Sequence, residues 1–218
     1  MTTKPEVIFL LDVDNTLLDT DCLLRHFREY VLREFGTENN AQYWHTFDEL
    51  RKKLDYADYL GALQQYRLNH IDDVTVMKVS SFLLDYPFKE RLFNHALAVL
   101  KHLKTFGPTV ILSDGDVVWQ PRKIMRSGLW DAVNGHVLIY IHKEQMLNTV
   151  ERKYPAKHYV MIDDKLRILT AMKTLWGTRL TTIFPRQGHY AHDIKHTQPY
   201  PAADLTIECI GDMLKYKL

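Results

Sequence analysis

The chain has 218 residues, of which 46% are hydrophobic and 25% are charged, and its formal net charge is +1. These values are ordinary for a soluble globular protein that is long enough to bury a substantial core, either as one domain or as a domain with a sizeable insert. The near-neutral charge gives no reason to expect nucleic acid as a partner.

The N-terminal apolar run, residues 7–11, is too short to cross a bilayer, and no small-residue cleavage signal follows it. Cys22 and Cys209 lie far apart in sequence and form no metal-ligand pair, which favours a reducing compartment. We therefore expect a cytoplasmic protein that does not act at a membrane.

The same run, VIFLL, predicts a strand that is buried on both faces of a parallel sheet. Asp12, Asp14, Asn15 and Thr16 follow where this strand ends. Alternation along an extended chain places Asp12 and Asp14 on one side and Val13 on the other, so two carboxylates converge on a small volume. The simpler alternative is a strand end whose Asp and Asn residues only begin a turn.

Apolar residues recur at helical spacing across residues 21–84, which predicts roughly four helices. No strand-like run interrupts this block, and Pro87 disfavours helix in the residue before it. We therefore interpret the block as an insertion. We divide the chain into an α/β core, residues 1–16 and 88–218, and a helical cap, residues 17–87.

An alternation of helices and strands follows the block, which predicts a parallel sheet. Helices are predicted near residues 92–106, 117–125 and 144–152, and an amphipathic helix carries Leu166, Leu169 and Met172. Strands are predicted at residues 109–112, 137–141, 158–162, 180–184 and 205–207.

Four of the predicted strands end in hydroxyl, lysine or carboxylate side chains. Because parallel strands bring their carboxyl ends to one edge of a sheet, these side chains are expected to meet there. They are Asp12 and Asp14, Ser113, Lys143, and Asp163 with Asp164.

In this order, the DVDNT string at residues 12–16, the strand ending in Ser113, the later Lys143 and the IDD string at residues 162–164 resemble the four motifs of the haloacid dehalogenase-like hydrolases. The helical block resembles the cap that this family inserts at the same place. The resemblance covers nearly the whole chain. It implies a Rossmann-like parallel sheet with helices on both faces, plus the inserted α-helical cap.

The resemblance further implies a Mg²⁺-dependent phosphatase that acts on a small phosphorylated metabolite. Asp12 would be the nucleophile that forms an aspartyl-phosphate, and Asp14 would exchange protons with the leaving group and with water. Such a role requires Asp14 to be protonated part of the time, which a neighbouring carboxylate favours and a nearby metal opposes. Ser113 would donate a hydrogen bond to the phosphoryl group, and Lys143 would be the fixed positive charge.

Asn15, Thr16, Asp114 and Gly115 are the residues that would contact the substrate. Crowded carboxylates facing an anionic substrate require a cation, and Mg²⁺ suits hard oxygen ligands. Its expected ligands are Asp12, the backbone carbonyl of Asp14, and Asp164, with Asp163 as a direct or indirect partner.

Each residue also has an alternative explanation. Ser113 and the Asp163–Asp164 pair could only cap helices, and a lone lysine is most often a solvated charge. Lys143 is followed by Glu144, where the family usually has proline, and Lys123 on a predicted nearby helix is its rival. His189, His192 and His196 lie in a polar stretch. Their two alternative roles are a metal site and ordinary surface or packing positions.

Alternatives for the function also stay open. A dehalogenase needs no second acid and no metal, so Asp14, Asp163 and Asp164 favour phosphoryl chemistry over halide release. A phosphomutase needs the same residues as a phosphatase, and a noncatalytic module that binds phosphate or a protein partner would retain the fold alone. We expect a monomer or a homodimer. The candidates for lining the closed site are Arg25, Tyr43, Trp44, His45 and Arg51.

Overall fold

A parallel β-sheet of six strands forms the centre of the computed structural model, which describes residues 4–68 and 73–217. The strands are β1 (Val7–Leu11), β2 (Thr109–Asp114), β3 (Val137–Tyr140), β4 (His158–Ile162), β5 (Leu180–Pro185) and β6 (Leu205–Ile207). Their order across the sheet is β3-β2-β1-β4-β5-β6, and each neighbouring pair is parallel. The predicted parallel sheet is therefore confirmed.

Helices cover both faces of this sheet and also form the segment between β1 and β2. They are α1 (Thr20–Leu54), α2 (Tyr59–Arg67), α3 (Asp73–Asp85), α4 (Ala96–Leu103), α5 (Trp119–Arg126), α6 (Leu129–Ala132), α7 (Leu147–Lys153), α8 (Leu166–Trp176), α9 (Gly188–His192) and α10 (Ile194–Thr197). Short 3₁₀ turns occupy Phe88–Arg91, Lys143–Gln145, Gly177–Arg179 and Ile210–Lys215.

Burial on both faces explains the unbroken apolar sequence of β1. Ile8 and Leu10 face one hydrophobic cluster, to which α7 and α8 contribute, whereas Phe9 and Leu11 face a second cluster shared with α4, α5 and the helices between β1 and β2. A strand between two helical layers has no solvent side, so alternation of polar and apolar residues is lost.

Two predicted helices are shorter than expected. The helix predicted at residues 92–106 begins only at Ala96, because His95 has a left-handed backbone with φ of 69°. The helix predicted at residues 144–152 begins at Leu147, because Lys143–Gln145 form a 3₁₀ turn first. The spacing of apolar residues does not show at which residue the backbone becomes helical.

The helices α1, α2 and α3 form the inserted cap. Gly36, with φ of 73°, breaks α1 into two helical segments, so the prediction of about four helices matches the described part of this block. Phe27 lies at the centre of an aromatic cluster with Tyr43, Trp44, Tyr59 and Phe82. Residues 69–72 of the predicted block lie outside the described residues, and the domain limits at 17 and 87 stay a prediction.

No helix within residues 4–68 and 73–217 combines the length and the apolar character that a membrane crossing requires.

Candidate active site

The carboxyl ends of β1, β2 and β4 meet at the point where the strand order reverses. Leu11 of β1 pairs with Ile111 of β2 on one side and with Ile162 of β4 on the other. The backbone N–H of Asp12 then donates to the carbonyl of Ile162 at 3.0 Å. Ligands bind at such reversal points in open α/β sheets. The residues that follow these three strands are therefore placed to form a site.

Asp12, Asp163 and Asp164 form a buried acid cluster at this edge. One carboxylate oxygen from each of the three lies within 4.8 Å of the others. Oδ2 of Asp12 and both carboxylate oxygens of Asp164 are buried without a hydrogen-bond partner. Unpartnered buried carboxylates are unfavourable unless a proton or a cation compensates them. A cluster of hard oxygen donors in this state fits a divalent ion such as Mg²⁺.

The proton affinities of the cluster reflect this crowding. Burial raises the pKa of Asp12 to about 6, and Asp163 adds to the rise although Lys143 opposes it. Burial also raises the pKa of Asp164 well above its usual range, with Asp163 and Asp12 adding to the effect and Lys165 opposing it. Both groups therefore gain from any further positive charge placed among them.

Lys143 lies directly against this acid cluster. Its Nζ is 2.5 Å from Oδ1 of Asp12 and 2.7 Å from Oδ2 of Asp163, and the side chain is only 1% exposed. Burial disfavours the ammonium, but Asp12 and Asp163 outweigh it and raise the pKa of Lys143 well above its usual range. The backbone N–H of Lys143 donates to Oδ1 of Asp114 at 2.7 Å, which fixes the turn after β3.

The carboxylate of Asp14 is not a member of the group of three that forms the acid cluster. Nζ of Lys123 and Oγ1 of Thr20 each lie 2.5 Å from its Oδ1, and Nε2 of Gln120 donates to its Oδ2 at 3.1 Å. Both lysines that the sequence left as rivals therefore occupy the site, each on a different carboxylate. The predicted metal ligand at Asp14 is its backbone carbonyl, which is separate from these side-chain contacts.

The pKa of Asp14 differs from the sequence-based expectation. Burial alone would raise it, but Lys123 and then the hydroxyl of Thr20 lower the pKa below its usual range. A neighbouring acid was expected to keep this carboxyl partly protonated, but the lowered pKa favours the ionised form. The reason is the buried ammonium of Lys123, which comes from 109 residues away.

Ser113 lies beside Asp12, as the strand-end pattern predicted. Its Oγ is fully buried and donates to Oδ1 of Asp12 at 3.3 Å. Nε2 of Gln120 donates to the same Oγ at 2.9 Å, so Gln120 links Ser113 to Asp14. Gln120 was not among the predicted site residues, because a glutamine at the start of a helix carries no chemical signature of its own.

The side chains of Asn15 and Thr16 hold the loop after β1 in place. Asn15, whose φ is 57°, donates from Nδ2 to Asp21 at 3.0 Å and accepts from the Asp21 backbone at 3.1 Å. Oγ1 of Thr16 accepts from the backbone N–H of Asp164 at 3.1 Å. These contacts tie β1, β4 and the start of α1 together, and the predicted contact of Asn15 and Thr16 with substrate stays a prediction.

Asp114 and Gly115 continue the loop after β2. Burial raises the pKa of Asp114, although Lys143 opposes the shift. A Cβ at Gly115 would lie 2.6 Å from Cβ of Gln120, so the absence of a side chain lets α5 approach the loop closely. Both residues line the cavity between the cap and the sheet, and their contact with substrate stays a prediction.

A cavity of roughly 1070 Å³ lies between the cap and this edge of the sheet. Asp14, Asp114 and Lys123 line it from the core. The cap contributes the apolar and charged side chains of Leu24, Arg28, Phe47, Arg51, Tyr56 and Tyr59.

The five candidates for lining the closed site differ in where the structure places them. Arg51 lines the cavity, as predicted. Tyr43 is instead fully buried within the cap, Trp44 packs against the cap core, and His45 is exposed away from the cavity. Arg25 donates to the sulfur of Cys22. Aromatic residues at helical spacing pack on each other here.

The three histidines do not form a metal group with each other. Nδ1 of His189 lies 2.6 Å from Oδ1 of Asp21, His196 packs edge-on against Tyr190, and His192 is exposed. The acid cluster is the one potential metal group of three residues found in the described part of the chain. His189 and His196 do line the cavity.

Lys165 is a further cation near the acid cluster, and it was not among the predicted site residues. Burial disfavours its ammonium, but Asp164, Asp12 and Asp163 outweigh this effect and raise its pKa. Its backbone N–H also donates to Oδ1 of Asp163 at 2.8 Å. Its position directly after Asp164 was the available signal.

Comparison with solved structures identifies proteins of similar structure. A haloacid dehalogenase-like hydrolase from Burkholderia xenovorans LB400 is 60% identical, with a TM-score of 0.93, over 98% of this chain and 100% of that one. The HAD-hydrolase YfnB from Bacillus subtilis, whose crystal structure is bound to magnesium, is 17% identical with a TM-score of 0.62, over 97% and 98% of the two chains. L-2-haloacid dehalogenase from Xanthobacter autotrophicus is 13% identical with a TM-score of 0.62, over 95% and 96%.

The last two similarities show the fold alone. No family model matches the sequence, and no curated protein matches it either. The 60% identity over nearly the whole length shows the family on its own. The chain belongs to the haloacid dehalogenase-like hydrolases.

Proposed function

We propose that this hydrolase is a Mg²⁺-dependent phosphatase that cleaves small phosphate monoesters through a phosphorylated Asp12. The observation that carries the proposal is the environment of Asp12. The carboxylate lies between the hydroxyl of Ser113, the ammonium of Lys143 and the unpartnered oxygens of Asp164. A nucleophile, donors for phosphoryl oxygens and ligands for a divalent cation therefore occupy one small volume.

The proposed reaction has two steps, phosphorylation of Asp12 and hydrolysis of the aspartyl-phosphate. A carboxylate oxygen of Asp12 attacks phosphorus, the bond from phosphorus to the ester oxygen breaks, and Asp14 gives its proton to the departing alkoxide. Water then attacks phosphorus of the aspartyl-phosphate and gives a proton to Asp14, and inorganic phosphate leaves with the Asp12 carboxylate restored. An anionic phosphoryl group near Asp14 adds negative charge there, which favours the protonated carboxyl that the first step needs.

Lys143 and Ser113 act on the charge that moves during these steps. The ammonium of Lys143 holds Oδ1 of Asp12 and stabilises negative charge on the phosphoryl group. Asp163 orients that ammonium through its contact of 2.7 Å. The hydroxyl of Ser113 donates to the same Oδ1 of Asp12, and it donates to a phosphoryl oxygen once it releases the carboxylate.

The residues that would hold Mg²⁺ are Asp12, Asp164 and the backbone carbonyl of Asp14. The unpartnered oxygens of Asp12 and Asp164 support this assignment. When bound, the ion supplies positive charge that reduces the repulsion between the Asp12 carboxylate and the phosphoryl oxygens. YfnB, which shares the fold, is bound to magnesium in its crystal structure.

The second candidate function is release of halide from 2-haloacids, because L-2-haloacid dehalogenases share this fold. Halide leaves without a proton, and Asp14 therefore has no proton to transfer in that reaction. It also leaves the unpartnered carboxylate of Asp164 without a cation. Phosphoryl transfer uses both groups, and for this reason we favour it.

One assay separates the two functions. The purified protein is incubated with p-nitrophenyl phosphate, a panel of alkyl phosphates and several 2-haloacids, each with Mg²⁺ or with a chelator. We expect phosphate release that needs Mg²⁺ and no release of halide. Halide release that is insensitive to the chelator, without phosphate release, would establish the dehalogenase instead.

Binding of Mg²⁺ is expected to raise the melting temperature of the wild-type protein. At a concentration 100 times the dissociation constant, the gain is about 2.7 kcal/mol in the free energy of unfolding. Asp164→Asn should lose this shift, because it removes a charged ligand. The matched control is Asp131→Asn, which changes an exposed acid on α6 and should keep the shift. An undiminished shift in Asp164→Asn would contradict the assigned ligands.

A further inference from the structure

The helix α5 is anchored to the end of the cap by one set of its side chains. Nε1 of Trp119 donates to the carbonyl of Leu83 at 2.9 Å, and Nε of Arg122 donates to the carbonyl of Leu84 at 2.6 Å. Arg122 also pairs with Asp85 at 2.8 Å. These contacts fix the rotation of α5 about its axis relative to the last turn of α3.

A second set of α5 side chains contacts the candidate active site. Lys123 is only 1% exposed, and its Nζ lies 2.5 Å from Oδ1 of Asp14 and 4.3 Å from the centre of the Trp119 ring. Gln120 is 2% exposed, and its Nε2 donates both to Oδ2 of Asp14 and to Oγ of Ser113. Each carboxylate oxygen of Asp14 therefore has its own donor from this helix.

We propose that Lys123 and Gln120 are positioning residues, which hold the carboxyl group of Asp14 toward the cavity and apart from the acid cluster. Asp14 is only two residues from Asp12, so without these two donors only the hydroxyl of Thr20 holds its carboxylate, and the cation site becomes the competing partner. The ammonium of Lys123 offers a fixed alternative within the same low-dielectric region. This proposal rests on the proposed phosphatase function, in which Asp14 exchanges protons with the leaving group.

Proton donation matters most when the leaving group is a poor one. An alkoxide needs the proton as the ester bond breaks, whereas p-nitrophenolate leaves readily without it. Lys123→Met keeps the side-chain volume and removes the donor. We expect its kcat/KM for an alkyl phosphate to fall about 10²-fold and its kcat/KM for p-nitrophenyl phosphate to fall less than about 5-fold, because kcat/KM does not include the hydrolysis of the aspartyl-phosphate that both esters share. A merely structural loss lowers both rates by the same factor.

Three controls accompany this comparison. Lys123→Arg restores a cation and should recover part of the alkyl phosphate rate. Lys101→Met makes the same change at an exposed lysine on α4 and should change neither rate. In an Asp14→Ala background, Lys123→Met should cause no further loss on alkyl phosphates, because a positioning residue has no effect once its target is removed. Melting temperatures show that each variant is folded.

The outcomes separate the two proposals. Equal losses on both esters, or a loss that persists in the Asp14→Ala background, would overturn the positioning role while the phosphatase function stands. A wild-type protein that hydrolyses neither ester in the presence of Mg²⁺ would overturn the phosphatase function, and the positioning role with it. Selective loss on alkyl phosphates that disappears in the Asp14→Ala background supports the positioning role.

Discussion

Asp12→Asn is expected to lower kcat for phosphate release by roughly 10⁴-fold or more, whichever ester is used. The amide has nearly the shape of the carboxylate, so the buried position remains filled, but it lacks the nucleophilic oxygen anion. Lys143 keeps its contact with Asp163, which preserves the surrounding geometry. The measurement is steady-state phosphate release at saturating substrate and Mg²⁺.

Stability is the control for this variant. Burial raises the pKa of Asp12 to about 6, so the ionised carboxylate is less favourable in the folded protein than in the unfolded chain at neutral pH. Removing that charge should leave the melting temperature equal or higher. Activity within about tenfold of wild type, with mass spectrometry excluding deamidation back to aspartate, would rule out Asp12 as the nucleophile.

Lys143→Met is expected to lower kcat by about 10²- to 10³-fold and to destabilise the fold. The variant leaves the carboxylates of Asp12 and Asp163 buried without their shared cation. Breaking a buried ion pair on one side typically costs about 3–5 kcal/mol. Urea unfolding without added metal measures the stability change, and phosphate release measures kcat.

A double variant tests the origin of that instability. Asp163→Asn combined with Lys143→Met removes one of the two uncompensated charges, so it should recover part of the stability but little of the activity. A Lys143→Met protein with wild-type unfolding behaviour would show that this ammonium does not compensate the buried acids. The same substitution at exposed Lys101 gives the baseline for the change from Lys to Met.

The sequence sufficed to predict which strand ends meet. Val7–Leu11 had no polar break because both faces of β1 are covered, and the parallel order then brought Asp12, Ser113 and Asp163 to one edge. The apolar run and the alternation of helices and strands can both be recognised in the sequence. These parts of the site could therefore be predicted from it.

The donors to Asp14 could not be predicted in the same way. Lys123 and Gln120 reach Asp14 across more than a hundred residues, and their direction depends on how α5 is rotated against the sheet and the cap. No local pattern encodes that rotation. The sequence therefore presented Lys123 as a rival of Lys143, whereas the folded chain pairs each lysine with a different carboxylate.

Side-chain packing within the cap could not be predicted from the sequence either. Tyr43 and Trp44 recur at helical spacing with Phe27 and Phe47, and this spacing serves the aromatic core of the cap. Arg51, near the end of α1, is the candidate that reaches the cavity. A helical pattern shows which residues share a face, but not which neighbour that face contacts.

Chemical trapping of the phosphorylated enzyme tests the central claim most directly. The wild-type protein is mixed with Mg²⁺ and excess alkyl phosphate, quenched during turnover, and treated with borohydride, which reduces an acyl phosphate to an alcohol and releases phosphate. Peptide mass spectrometry should then find homoserine at position 12, and at no other aspartate. Turnover without any reduced residue, or reduction at a different carboxylate, would contradict the assignment of Asp12 as the group that carries the phosphoryl.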